Sequence, residues 1–204
     1  MEGLADRPLA PTLTEAAAEG YDVADCRFTG VLEHADLYRL DAARCRFDGC
    51  RLTGCDFTRA SLQEVIFDHC DLSGVRFDDA GLLQVQFLDC RGLGAYFTGA
   101  LWDEVTIEGG SFQYANLARV EWKNCRLRTG MQDAVLTDLT AKKTHVDGCD
   151  FTRADWSHAH IAQLDLSRSV IEGAVFSPEA LQGVRVSRDQ AADLARLLGL
   201  VIQA

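Results

Sequence analysis

The sequence predicts an all-β solenoid of stacked four-sided coils. Three observations carry this: bulky apolar residues recur every five positions, a small or apolar residue stands two before each, and the pattern persists over most of the chain. The clearest stretch is Phe47, Leu52, Phe57, Leu62, Phe67, Leu72, Phe77, Leu82 and Phe87, preceded two residues earlier by Cys45, Cys50, Cys55, Ala60, Val65, Cys70, Val75, Ala80 and Val85. A helix advances about 100° per residue and a strand sends alternate residues to opposite faces, so a period of five fits neither. In an extended, turn-rich chain, residues two apart point the same way. Each unit therefore sends one small and one bulky side chain inward and three side chains outward. A turn of about 90° per unit closes a coil of about 20 residues, and coils stack at the strand spacing of about 4.8 Å.

Taken in order, residues 1–21 are expected to be a flexible N-terminal leader, 22–183 the β-helix, and 184–204 a C-terminal helical cap and dimerisation module. Within the helix a four-residue step joins Phe28 to Leu32, before Leu37 and Ala42 lead into Phe47. The register then runs through Phe97, Trp102, Ile107, Phe112, Leu117, Trp122 and Leu127, and a second four-residue step reaches Met131. It resumes at Leu136, Ala141, Val146, Phe151, Trp156, Ile161, Leu166, Ile171, Phe176 and Leu181, giving about eight coils and about 38 Å of rod. Gly92 occupies a bulky slot, and Trp102, across the same coil, is expected to fill the space it leaves, so that Gly92→Leu would overpack the core.

Composition narrows the function. The 204 residues carry 20 Lys and Arg against 31 Asp and Glu, a net charge of −11, so a phosphate backbone would repel the chain and direct nucleic-acid binding is not expected. No run approaches the roughly 18 apolar residues of a membrane span, and residues 1–18 lack the basic and apolar regions of a signal peptide, which predicts a cytoplasmic protein with no membrane partner. All eight cysteines (Cys26, Cys45, Cys50, Cys55, Cys70, Cys90, Cys125 and Cys149) occupy the small inward slot and read as core residues, with a metal or disulfide framework the alternative. The five histidines fall on outward slots; His158 and His160 are the one pair that could share a surface metal. No catalytic motif and no cleft that would desolvate paired carboxylates is evident, so neither enzyme activity, a cofactor nor a metal is expected.

The acidity is spread along the rod, with 23 acids and 15 bases between residues 28 and 181, about a third of the charge density of duplex DNA. Its distribution by face is uneven. The face holding Leu62, Leu82 and Trp102 carries Asp41, Glu64, Asp103, Glu104 and Glu121 against Arg44 and Lys123, and the next face adds Asp48, Asp68 and Glu108 in register, with Asp89 beside them and Asp147 two coils beyond. The expected strip is Asp48, Asp68, Asp89, Asp103, Glu104, Glu108 and Glu121. It reads either as a solubilising surface or as a partner-facing one.

After Leu181 the period stops. Ser187-Arg188-Asp189-Gln190 forms a capping box, Ala191, Leu194, Ala195 and Leu198 follow at helical spacing, Gly199 stops the helix, and Leu200-Val201-Ile202 reads as a short strand. A solenoid end needs a cover, and this stripe with its trailing strand suits both a cap and a dimer interface made by Val186, Ala191, Leu194, Ala195, Leu198, Leu200 and Ile202.

The units Ala35-Asp36-Leu37, Ala115-Asn116-Leu117, Cys70-Asp71-Leu72, Cys55-Asp56-Phe57 and Cys149-Asp150-Phe151 resemble the Ala-(Asp/Asn)-Leu-x-x consensus of the pentapeptide-repeat family over about three quarters of the chain. That resemblance implies a right-handed quadrilateral β-helix. The ending Val184-Arg185-Val186-Ser187-Arg188-Asp189-Gln190-Ala191-Ala192 is similar to the C-terminal segment of the gyrase-interacting members of the MfpA and Qnr type. It implies a head-to-head homodimer, with about 75 Å of rod, that imitates duplex DNA, occupies DNA gyrase or topoisomerase IV, and inhibits the enzyme or protects it from quinolones. No large loop interrupts the coils, which makes MfpA the nearer relative, and Met1 to Tyr21 has no placed counterpart. A scaffold or interaction module with a partner other than a topoisomerase is the alternative.

Overall fold

The coil is made at its corners. The residue two after most of the bulky ones takes the left-handed conformation, at Arg59, Glu64, His69, Gly74, Asp79, Gln84 and Asp89 in successive units. At several units the Asp or Asn before the bulky residue accepts the backbone N–H two residues on: Asp36 from Tyr38, Asp56 from Thr58, Asp71 from Ser73, Asn116 from Ala118 and Asp150 from Thr152. The acid of the consensus is therefore turn chemistry, an Asx cap, and not surface charge held in reserve.

In a computed structural model, which describes residues 3–197 and 201, these units build the expected right-handed four-sided β-helix, in about nine turns, with a short C-terminal helix. Face I holds Ala42, Leu62, Leu82, Trp102, Trp122 and Ala141, in a seven-stranded parallel sheet from Val23–Ala24 to Thr140–Lys142. Face II holds Phe28, Phe47, Phe67, Phe87, Ile107, Leu127 and Val146, in an eight-stranded parallel sheet from Ala5–Asp6 to His145–Val146. Faces III and IV are joined by single bridges such as Arg51↔Asp71 and Arg76↔Tyr96, with one short pair, Asp155–Trp156 and Val175–Phe176. The extra turn beyond eight comes from Ala5–Asp6, which pairs with Cys26–Arg27.

The inward columns stack as the period requires. Phe28, Phe47, Phe67 and Phe87 lie 4.8 to 5.2 Å apart, Phe57, Phe77 and Phe97 lie 5.1 Å apart, and Trp102 stacks on Trp122 at 6.0 Å. All eight cysteines are buried free thiols. Seven of them donate to a carbonyl of the previous coil, as Cys70 does to Phe47 at 3.2 Å and Cys149 to Leu127 at 3.1 Å. Burial pushes the Cys45, Cys125 and Cys149 thiols up to about 11, which keeps them protonated at neutral pH.

Both four-residue steps are accommodated. Phe28 pairs with Phe47, 19 positions on, before the 20-residue spacing returns at Val31↔Arg51. At the second step Glu108 and Ser111 pair with Arg128 and Gly130, so Gly109 and Gly110 bulge outward at φ of 71° and 65°. A Cβ on Gly110 would meet the Cys90 carbonyl oxygen at 2.0 Å, so this corner admits only glycine.

Two expectations change. The space above Gly92 is filled by Phe112, the next residue in its own column, not by Trp102: a Cβ on Gly92 would lie 2.3 Å from Cδ1 of Phe112. Compensation runs along the column because stacked coils approach more closely than opposite walls. The leader is not a flexible tail: Leu9–Glu19 form helix α1, whose Leu9, Leu13 and Ala16 are buried against the first coil and whose end is closed by left-handed Gly20, its N–H donating to Ala16 at 2.8 Å. An open first coil would expose Val23, on the strand that α1 packs against, and the helix removes it from water. The stripe Leu9, Leu13, Ala16 followed by Gly20 is the signal in the sequence that marks it.

Gly92→Leu is expected to lower unfolding stability by about 1 to 3 kcal/mol through overpacking against Phe112, read by thermal unfolding, with Gly92→Leu/Phe112→Ala recovering most of the loss. Leu13→Ala, at a fully buried site on α1, is expected to cost about 2 to 5 kcal/mol in denaturant unfolding.

Candidate functional site

The acidic residues singled out in the sequence fall on two adjoining faces. Asp103 and Glu121 lie on face I strands and Glu104 at the corner after face I, whereas Asp48, Asp68 and Glu108 lie on face II strands and Asp89 at its corner. They do not form one uninterrupted strip, because bases occupy neighbouring outward slots.

On face II, Asp48 accepts from Arg27 and from Arg46, each at 2.6 Å, and Arg46 reaches on to Asp68, bridging two coils. Asp68 also pairs with His69 at 2.5 Å, which raises the imidazole's pKa through that hydrogen bond first and the carboxylate's charge second. These two carboxylates keep only 18% and 21% of their side-chain surface, against 62% for Asp89, which lies 3.9 Å from His69. Glu108 stands 3.5 Å from Arg128. Asp48 and Asp68 thus join neighbouring coils, and Asp89 and Glu108 are the more exposed acids of face II.

On face I, Asp103 takes a hydrogen bond from Lys123 and another from Asn124 at 2.8 Å, and these hold its carboxyl below the usual carboxylate range. Glu104 accepts only from the Gln84 amide, at 2.8 Å, and Glu121 is exposed with no ion pair among the described residues. Glu64, Gln84, Glu104 and Asn124 line one wall of a shallow open groove along the corner between faces I and II, with Ile66, Gln86, Thr106 and Arg126 on the other. The neutralising bases were legible only in part, since Arg27 and Arg46 repeat near the coil spacing and Arg128 stands one coil beyond Glu108, but their reach across coils depends on the stacking.

At the C-terminal end, helix α2 (Arg188–Leu197) begins with the expected capping box: Ser187 Oγ accepts from Gln190 N at 3.2 Å, and Gln190 Oε1 accepts from Ser187 N at 2.8 Å. The Gln190 amide also donates to the carbonyls of Leu166 and Ser169, at 3.0 and 2.7 Å, which ties the helix to the rod. Leu194 is buried in the core and Val186 packs against it, so both act as a cap within one chain, while Ala191 is exposed and Ala195 half-buried. Leu198, Leu200 and Ile202, and the helix stop at Gly199, lie outside the described residues. Among the described residues no group of three or more metal-ligating side chains converges, and no helix is long and apolar enough to cross a membrane.

A family model described as a pentapeptide repeat region matches residues 40–117, the stretch in which the five-residue register is least interrupted. Residues 40–117 are thus a pentapeptide repeat region. Full-length QnrB1, described as a plasmid-mediated fluoroquinolone resistance protein, matches the chain with a TM-score of 0.51 at 18% identity, over 85% of this chain and 100% of that one. HetL, a pentapeptide repeat protein involved in heterocyst differentiation regulation in the cyanobacterium Nostoc sp. strain PCC 7120, matches with the same TM-score of 0.51 at 14% identity, over 86% of this chain and 94% of that one. At these identities the likeness shows the shared fold. No curated protein matches the chain by sequence.

The Asp103 carboxylate is expected to titrate below about 3.9 in an NMR pH series and to return toward that value in Lys123→Met. Because the folded pKa is depressed, whatever the pair contributes is present above the ordinary carboxylate range and is lost as pH falls through the depressed value.

Proposed function

We propose that this pentapeptide-repeat protein is a non-catalytic modulator of a bacterial type II topoisomerase, DNA gyrase first, occupying the DNA-binding surface in place of duplex DNA. The observation that carries the reading is the set of exposed carboxylates left without an internal cation on and beside face I, Glu104 and Glu121, continued across the corner by Asp89 and Glu108. Carboxylates on a regular rod can meet a basic saddle that holds phosphates, and such pairing is screened by salt. The fold shared with QnrB1 supports the reading, as does the C-terminal segment, through which two chains would join head to head using Ala191, Ala195 and the residues beyond them.

A second reading is an interaction module whose partner is not a topoisomerase. The equal fold likeness to HetL favours it, as does the partial neutralisation of face II by Arg27, Arg46 and Arg128.

Gyrase supercoiling and cleavage assays with increasing protein, with and without a quinolone and at two salt concentrations, test the first reading. Salt-sensitive inhibition or protection from drug-stabilised cleavage is expected, reduced at least about tenfold in potency by Glu104→Lys/Glu121→Lys with the melting temperature unchanged. No effect at tens of micromolar protein would leave the second reading.

A further inference from the structure

Between residues 142–148 and 162–167 the wall of the β-helix is open. Along the corner after face I, each coil donates to the next: Glu64 N to Leu83 O, Gln84 N to Asp103 O, Glu104 N to Lys123 O and Asn124 N to Lys142 O, at 2.8 to 3.0 Å. The next rung, Lys143 N to Ala162 O, is not formed. Both long sheets end here, at Thr140–Lys142 and His145–Val146, and among the described residues no backbone hydrogen bond or bridge joins 142–148 to 162–167.

The ladder is intact on either side. Ala141 N donates to His160 O at 3.0 Å, Phe151 N to Val170 O at 2.8 Å, and Leu166 N to Arg185 O at 2.8 Å. The missing rungs leave a cleft of about 1190 Å³ lined by Lys142, Lys143, His145, Val146, Ala162 and Asp165. Its floor is apolar, and the core is less covered there: Ala141 and Val146 are 9% and 7% exposed, where Trp122 and Leu127 one coil earlier are 1% and 2%.

We propose that this slot receives an extended acidic peptide segment as an added strand. Two backbone edges face it with donors that have no partner among the described residues, at Lys143 and Val146 on one and Asp165 on the other, which is the requirement for strand addition. The edge turns at left-handed Lys143 and Gly148, and the stretch between them, 144–147, spans about 13 Å at the strand rise, room for a strand of about four residues. An inserted strand sends alternate side chains inward to the apolar floor and outward to the rim. The rim carries Lys142, Lys143 and Arg185 with His145, His158 and His160, against Asp165 and Glu179. None of the three strong bases has an ion-pair partner among the described residues, in a chain whose net charge is −11. Outward acidic residues meet this rim, and inward apolar ones cover Val146. The slot is separate from the carboxylates of the proposed topoisomerase surface and does not depend on that reading.

The test is residue-resolved hydrogen exchange of the full chain, alone and with acetyl-(Val-Glu)₄-amide, acetyl-(Val-Lys)₄-amide or inorganic phosphate, at two salt concentrations. Amides of Lys143, Val146 and Asp165 are expected to exchange rapidly in the free protein and to slow at least about tenfold with the glutamate peptide, less so at high salt. Lys142→Glu/Lys143→Glu, on exposed positions, should lose that protection and gain it from the lysine peptide. Slow exchange at these amides in the free protein, equal protection by both peptides, protection by neither, or protection by phosphate alone would overturn the proposal.

Discussion

The parallel backbone ladder between successive coils is the constraint on which everything else in this molecule rests. A unit of five residues has no hydrogen bond of its own beyond a corner turn, so its N–H and C=O groups are satisfied only by the coil before and the coil after. That requirement fixes the vertical spacing, and the spacing brings Phe47 over Phe28 and Trp122 over Trp102 at stacking distance. It also explains why departures in length are absorbed locally, by the 19-residue pairings and the Gly109–Gly110 bulge, rather than by shifting the whole register.

A one-dimensional ladder has two ends, and each end meets the same difficulty, an exposed core layer with unpaired edges. The solutions differ. Helix α1 covers the first coil through Leu9, Leu13 and Ala16, whereas α2 is pinned at the other end by the Gln190 amide on two carbonyls and by Leu194. The second cap leaves Ala191 exposed and Ala195 half-buried. The slot between 142–148 and 162–167 is an internal equivalent of an end, with no helix over it among the described residues.

Charge on such a rod divides into two kinds, and their places in the unit distinguish them. Asp36, Asp56, Asp71 and Asp150, each just before a bulky residue, cap turns on faces III and IV. Acids after the bulky residue, on faces I and II, have no such local duty. Some of those still serve the fold: Asp48 and Asp68 are tied by Arg46, and Asp103 by Lys123 and Asn124. The acids with neither duty are a smaller set than a count of acids on each face suggests, centred on Glu104, Glu121, Asp89 and Glu108.

The five-residue period, the inward placement of all eight cysteines, the stacked aromatic columns, both short steps and the capping box at Ser187 were determined by the sequence alone, because each follows from a pattern local to a few residues. Tertiary structure decided the rest. That Phe112, not Trp102, occupies the space over Gly92, that Leu9 to Glu19 fold onto the first coil, that Leu194 is spent on the cap and that Arg46 joins two carboxylates are relations between residues far apart in sequence or in neighbouring coils. The open slot belongs to the same class: Lys142 to Val146 continue the repeat without fault, and only the distance to the next coil leaves their edge unpaired. A repeat specifies where each side chain points; whether adjacent coils close on one another is settled by packing across about twenty residues of chain, which no single unit encodes.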